Sequence, residues 1–199
     1  MTLLTMLRKN PWIAAAAAGL IVGLAAAVLY VRSQAVHAND PPPSLARLVD
    51  EKKPAAVAEV AFTDAKGNRH TLSEFKGRYV LLNLWATWCG PCVKELPALA
   101  KLNTSLKGVP MDVVAVNVGR SSVGDTARFL ADHHASALTP YLDTNIALMR
   151  VFGAYGLPLT VLIDPQGHLV AKALGPAEWD DPAAIAYFRA LAVAPHAAS

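Results

Sequence analysis

The sequence predicts an α/β domain, a mixed central β-sheet flanked by helices with a β-hairpin at its N-terminal side, carried behind one transmembrane helix. Three observations support this. Between residues 54 and 193, short apolar runs alternate with segments of helical periodicity, the pattern of strands and covering helices packed in layers. Two late apolar runs are joined by a tight turn, adding an antiparallel pair to the strands before them. Residues 12–31 contain no charged residue, and as a helix they would span about 30 Å, one hydrocarbon core.

Taken in order, residues 1–11 carry Arg8 and Lys9, which should hold that end in the cytoplasm. Residues 12–31 are the expected signal anchor, with Trp12 and Tyr30 at opposite ends where amphipathic rings favour the two interfaces. The rival is a cleaved signal peptide, because Val36-His37-Ala38 has the small-residue spacing of a cleavage site. The apolar stretch exceeds the roughly 7 to 15 residues usual there, which favours an uncleaved anchor. Either way the rest of the chain is exported, and in a bacterium it would face the oxidising periplasm from the inner membrane. Residues 32–53 read as a polar, Pro-rich tether, with a short helical turn expected at Ser44 to Glu51.

The domain at 54–193 begins with Val57–Phe62 and Arg69–Leu72 around the turn residues Asp64 to Asn68, a hairpin. Tyr79–Trp85 is a continuous apolar run suited to a strand buried on both faces. In the next segment Val93, Leu96, Leu99, Leu102 and Leu106 form one helical stripe, which Pro97 should bend. Met111–Val118 is a second buried strand, and Thr126–His134 and Asn145–Phe152 are helices. Leu159–Ile163 and Leu169–Leu174 form a hairpin across Asp164-Pro-Gln-Gly167, and Pro182–Val193 is a closing helix with Pro in its first turn. Residues 194–199 are a tail.

The composition fits this division. The chain is 54% hydrophobic and 17% charged, with a mean hydropathy of +0.33 and a net charge of +3. Three of the 18 basic residues and none of the 15 acidic ones precede Ser33, so the exported part is formally neutral. No basic stripe remains, and no nucleic-acid partner is expected. Two cysteines exclude a multi-disulfide scaffold and leave one CxxC as the chemical candidate.

Cys89-Gly90-Pro91-Cys92 falls where a strand gives way to a helix. A helix N-terminus offers free N–H groups and positive partial charge, which stabilise a thiolate. Cys89, at the exposed end, would attack a partner's disulfide, and Cys92, one turn in, would resolve the mixed disulfide. A zinc half-site and a static structural disulfide are the alternatives. Zinc needs two further ligands, and the six histidines show no suitable pair. Neither a metal nor a cofactor is expected.

The stretch Trp85-Ala-Thr-Trp-Cys-Gly-Pro-Cys-Val-Lys-Glu-Leu-Pro97 resembles the active-site region of the thioredoxin superfamily. Within it the chain is most similar to the membrane-anchored TlpA/ResA branch, nearest to the TlpA type, and is related to CcmG-type cytochrome c maturation proteins. Leu72-Ser-Glu-Phe-Lys-Gly77, Gly156-Leu-Pro158-Leu-Thr, Val-Leu-Ile-Asp-Pro-Gln-Gly167 and Gly175-Pro-Ala-Glu-Trp179 carry the likeness from about residue 54 to 193. It implies a thioredoxin fold. It also implies that Pro158 is a cis-proline facing the CxxC, leaving backbone groups of Leu157 free to bind an extended substrate strand.

Two positions sharpen the expected mechanism. Cytoplasmic thioredoxins carry a buried aspartate where Asn83 stands, and asparagine cannot take the Cys92 proton. Glu95 matches the acidic residue that the TlpA/ResA branch keeps beside its cysteines, and at i+3 it shares a helix face with Cys92. Partly desolvated with a raised pKa, it would accept or relay that proton; a solvated surface carboxylate is the plain alternative. Trp85 is expected in the core, whereas Trp88 would shield the sulfur and offer an apolar docking surface. Lys94 should point to water. Phe152 and Tyr155 could line the substrate side, but the core is expected for both.

The expected activity is thiol:disulfide oxidoreduction in the reducing direction, since Gly-Pro between the cysteines is the pairing of thioredoxin, whose potential is about −270 mV against about −120 mV for a strong oxidant. The resemblance implies a membrane electron donor of the DsbD/CcdA type and protein clients in cytochrome c or cytochrome oxidase copper-site assembly, for a monomeric enzyme. The alternatives are a general periplasmic oxidant or isomerase and a non-enzymatic copper-binding assembly factor. A peroxiredoxin is disfavoured by Leu82 and Ala86, where its motif needs Pro and Thr or Ser.

Overall fold

The computed structural model describes residues 19, 23–26 and 40–194. The stretch from Pro41 onward is one compact unit. The expected cytoplasmic end, the tether up to residue 39, most of the anchor at 12–31 and residues 195–199 lie outside the described residues. Among those described, no helix is long and apolar enough to cross a membrane.

Eight strands form one sheet: β1 (Val49–Ala56), β2 (Ala61–Thr63), β3 (Arg69–Thr71), β4 (Tyr79–Trp85), β5 (Met111–Asn117), β6 (Tyr141–Leu142), β7 (Leu159–Ile163) and β8 (His168–Leu174). Their order across the sheet is β1-β8-β7-β4-β5-β6-β2-β3. Strand β4 is central, parallel to β5 and antiparallel to β7. Its apolar run needs no alternation because both faces are covered. Leu81 and Trp85 face one core and Val80, Leu82 and Leu84 the other, as the two-residue period of a strand requires.

The first core lies under α1 (Gly90–Ser105) and α4 (Pro182–Val193), together with Leu130 of α2 (Val123–Asp132). The second is closed by Leu148 of α3 (Ala147–Val151), Phe152, Phe62 and Leu72. The α1 stripe is buried at Leu96, Leu99 and Leu102, and the helix runs through Pro97, which is exposed.

The structure departs from the sequence expectations mainly at the edges. The helical turn expected at Ser44 to Glu51 is present only at its start, as a 3-10 turn at Pro43–Leu45, and the rest leads into β1, which pairs antiparallel with β8. The sheet thus takes in Val49 to Lys53, residues expected in the tether. β1 reads VDEKKPAA, almost wholly exposed, and its lysines and proline are the marks of an edge strand, which shows no apolar alternation. The hairpin is real but short, β2 with β3, and it joins the sheet through Thr63 opposite Leu142 of β6. β6 has only two residues, too few to carry a period in the sequence. Helix α2 begins at Val123 because Ser122 caps it, accepting from the Asp125 N–H at 3.1 Å. Helix α3 is confined to Ala147–Val151.

Candidate active site

The end of β4 delivers the chain directly into the CxxC. The Cys89 N–H donates to the Ala86 carbonyl at 3.0 Å, and Cys89 is the N-cap of α1 in extended conformation. Pro91 sits in the first turn, where its missing N–H costs nothing. Cys89 Sγ accepts from the Cys92 N–H at 3.3 Å, so this sulfur lies at the positive end of the helix, the environment that favours a thiolate. The two cysteines form a disulfide, with S–S 2.05 Å and Cα–Cα 5.3 Å. Cys92 is fully buried, and Cys89, expected at the exposed end of the pair, is itself only 5% exposed.

One turn further along α1, Glu95 is 3% exposed. Its Oε1 accepts from Asn83 Nδ2 at 2.8 Å, and its Oε2 accepts from Trp179 Nε1 at 2.8 Å and the Ala177 N–H at 3.3 Å. These donors favour the carboxylate, but burial outweighs them and pushes the carboxyl up to about 7. Asn83 also donates to Thr160 Oγ1 at 2.9 Å, its partner across β4 and β7, while Asn83 Oδ1 is buried without a partner. A groove of about 680 Å³ runs beside the motif, bordered by Pro91, Lys94, Glu95, Ala177, Glu178 and Asp180. Lys94 is exposed.

The Leu157–Pro158 peptide bond is cis. The β4–β7 register pairs Leu84 with Leu159, which sets Pro158 level with Trp85, at the end of the sheet from which the motif springs. Pro158 is buried, Leu157 half-buried, and the Pro158 carbonyl accepts from the Gly175 N–H at 2.8 Å. Trp88 is 73% exposed next to Cys89. A Cβ on Gly119 would lie 3.7 Å from the Trp88 ring nitrogen, so the loop after β5 approaches the indole closely. Trp85 is fully buried.

Phe152 is in the core as expected, but Tyr155 is not: it is 88% exposed. The turn at Gly153, with φ of 61°, follows α3 at once and carries the phenol outward. Sequence reasoning also gave no contact to Asn83, Thr160 or Trp179, whose meeting with Glu95 is made by the fold. Trp179 did stand within a quoted motif, but its donor role, 84 positions from Glu95, is invisible in one dimension. Among the described residues no three His, Cys, Asp or Glu side chains cluster as a metal site.

The family profile described as Redoxin matches residues 43–187. Thiol-disulfide oxidoreductase ResA of Bacillus subtilis is 37% identical over 112 residues, 56% of this chain, which spans 62% of that protein's length. ResA of Geobacillus kaustophilus is 32% identical over 123 residues, 60% of this chain and 70% of that one. A crystal structure from Chlorobium tepidum, named for the thiol:disulfide interchange protein DsbE, superposes with a TM-score of 0.59 at 29% identity, covering 69% of this chain and 98% of that one. The mixed sheet and its covering helices are a thioredoxin fold.

Proposed function

The chain belongs to the Redoxin family, and from that premise we propose that it is a thiol:disulfide oxidoreductase that reduces protein disulfides through Cys89 and Cys92. The observation that carries this is the disulfide at the N-terminus of α1 with a buried carboxyl group on the next turn. In the reduced enzyme the Cys89 thiolate attacks one sulfur of a client disulfide, and the other client sulfur departs as a thiolate and takes up a proton. Cys92 then loses its proton and attacks Cys89 Sγ. The second client thiol is released, the protein disulfide re-forms, and two electrons have passed to the client.

Glu95 is the proposed acceptor or relay for the Cys92 proton, its pKa of about 7 being suited to exchange near neutrality. Trp88 and the Leu157 backbone are the proposed contacts for the client strand. The clients are proteins of cytochrome c maturation or oxidase copper-site assembly, a reading supported by the TlpA/ResA likeness. The anchor at 12–31 would hold the domain on the periplasmic face of the inner membrane, where a DsbD/CcdA-type protein returns it to the dithiol. Sharing one membrane raises the effective concentration of donor and enzyme.

Trapping tests the whole scheme. Cys92→Ser in the full chain should leave Cys89 in stalled mixed disulfides with client proteins identifiable by mass spectrometry, and their absence would overturn the two-cysteine mechanism. Redox titration against glutathione tests the direction, since a potential above about −180 mV would make the protein an oxidant.

A further inference from the structure

A second cavity, of about 490 Å³, is lined by the chain segment that leads into β7, by β8 and by the turn ahead of β1. Its floor is apolar, built of Phe152, Leu159 and Leu174, and its walls carry Tyr155 and two cations, Arg47 and Lys172, with no acidic side chain among the lining residues. Lys172 is held by Glu51 of β1 at 3.3 Å. Arg47 is exposed and has no hydrogen-bond or ion-pair partner among the described residues.

Arg47 is nonetheless placed. Its guanidinium packs on Gly175, where φ is 89° and an added Cβ would come within 3.4 Å of Nη1. The Gly175 N–H in turn binds the Pro158 carbonyl. The unpaired cation therefore lies one residue from the backbone that flanks the disulfide end of the sheet, and the exposed Tyr155 ring lies two residues before Leu157. The groove on the CxxC side differs in its rim, where Lys94 stands with Glu178 and with Asp180, the latter paired with Lys101 at 3.1 Å.

We propose that the second cavity is a subsite for an acidic residue of the client polypeptide, its carboxylate held by Arg47 with Lys172 and its stem lying against Tyr155 and the apolar floor. The proposal rests on the oxidoreductase reading and adds to it a substrate class: disulfides set in acidic, partly apolar sequence. A guanidinium presents a planar fork matched to a carboxylate. Tyr155 supplies flat contact area at little cost in side-chain freedom.

The test uses the pre-reduced full chain and two synthetic peptides with the same intramolecular disulfide, one with Glu and one with Gln flanking the cysteines, and compares second-order rate constants of reduction. Wild type should reduce the Glu peptide about threefold faster, a preference that fades with added salt. Arg47→Glu should reverse it, and an unchanged midpoint in chemical denaturation shows that the variant is folded. Arg47→Gln should bring the two rates together. Equal rates for both peptides with wild type, or an unaltered preference in Arg47→Glu, would overturn the subsite. If wild type reduces neither peptide, the oxidoreductase reading itself fails, and the subsite falls with it.

Discussion

A buried carboxyl group that meets three donors and still titrates near neutrality is the chemical centre of this molecule beside its disulfide. Donors alone would drive Glu95 below the usual carboxylate range, yet removal from water costs the charged form more. The folded value, about 7, lies above the unfolded one, so below pH 4.5 the group is protonated in both states and neutral to folding. As pH rises from there through 7, the unfolded chain ionises first and stability falls, by about 3 kcal/mol for a shift of this size. Denaturant titrations of the oxidised protein at pH 5 and pH 8 should show that fall, and Glu95→Gln should remove most of it. The same variant should flatten the pH profile of Cys92 reactivity around neutrality; an unchanged profile would eliminate the proton role. Asn83→Asp would set a second carboxyl group 2.8 Å from Glu95 Oε1. Two buried carboxyls so close share one proton, and the variant should be destabilised by roughly 2 kcal/mol or more at pH 8, and by less at pH 5. The cysteines and Glu95 were legible in the sequence because they are contiguous on one helix. Asn83 with Thr160 and Trp179 with Glu95 were not, because strand register and an 84-residue excursion bring them together.

Among the elements, those with a period and a core were readable and those at the edges were not. Strands β4, β5 and β7 announce themselves as apolar runs because each is covered on both faces, whereas β1 is a polar edge that only its pairing with β8 defines. Tyr155 was misplaced for a related reason: an aromatic side chain is usually buried, but a five-residue helix followed by a glycine turn left it outside the packed layer. Capping gives a direct test at this scale. Asp181 accepts from the Ala183 and Ala184 N–H groups and from Ser44 Oγ, so one side chain both starts α4 and ties it to the 3-10 turn ahead of β1. Asp181→Ala should lower stability by about 1 to 2 kcal/mol in chemical denaturation, and Ser44→Ala should cost less in the wild type and nothing further in the double variant. At the opposite edge, His70 lies between Glu74 at 2.8 Å and Asp64 at 3.3 Å, which raises its pKa. Its protonated form therefore supports the β2–β3 hairpin fully below the unfolded histidine value and loses that support as pH rises through the folded one. Hydrogen exchange at the hairpin should accelerate over that interval beyond its intrinsic rate, and His70→Asn should abolish the excess.

At the scale of the whole molecule, the question is where the folded domain starts, because the expected boundary at residue 54 cuts through its sheet. Leu45 is fully buried and Leu48 nearly so, both within the core under α1 and α4, and β1 covers the outer edge of β8. A chain beginning at Pro41 keeps these contacts, while one beginning at Pro54 loses two core leucines, most of the strand and the Ser44–Asp181 link. At about 1.5 to 3 kcal/mol for each fully buried leucine the deletion removes roughly 3 to 6 kcal/mol, a large share of the 5 to 15 kcal/mol that holds a typical domain. It also exposes the β8 edge to intermolecular pairing. Purified side by side, the longer version should unfold in one cooperative transition and retain disulfide reduction with dithiothreitol as donor. The shorter should unfold at markedly lower denaturant and aggregate with time. Equal midpoints for the two would show that residues 41–53 are a tether after all, with the subsite built on Arg47 losing its support in the same experiment.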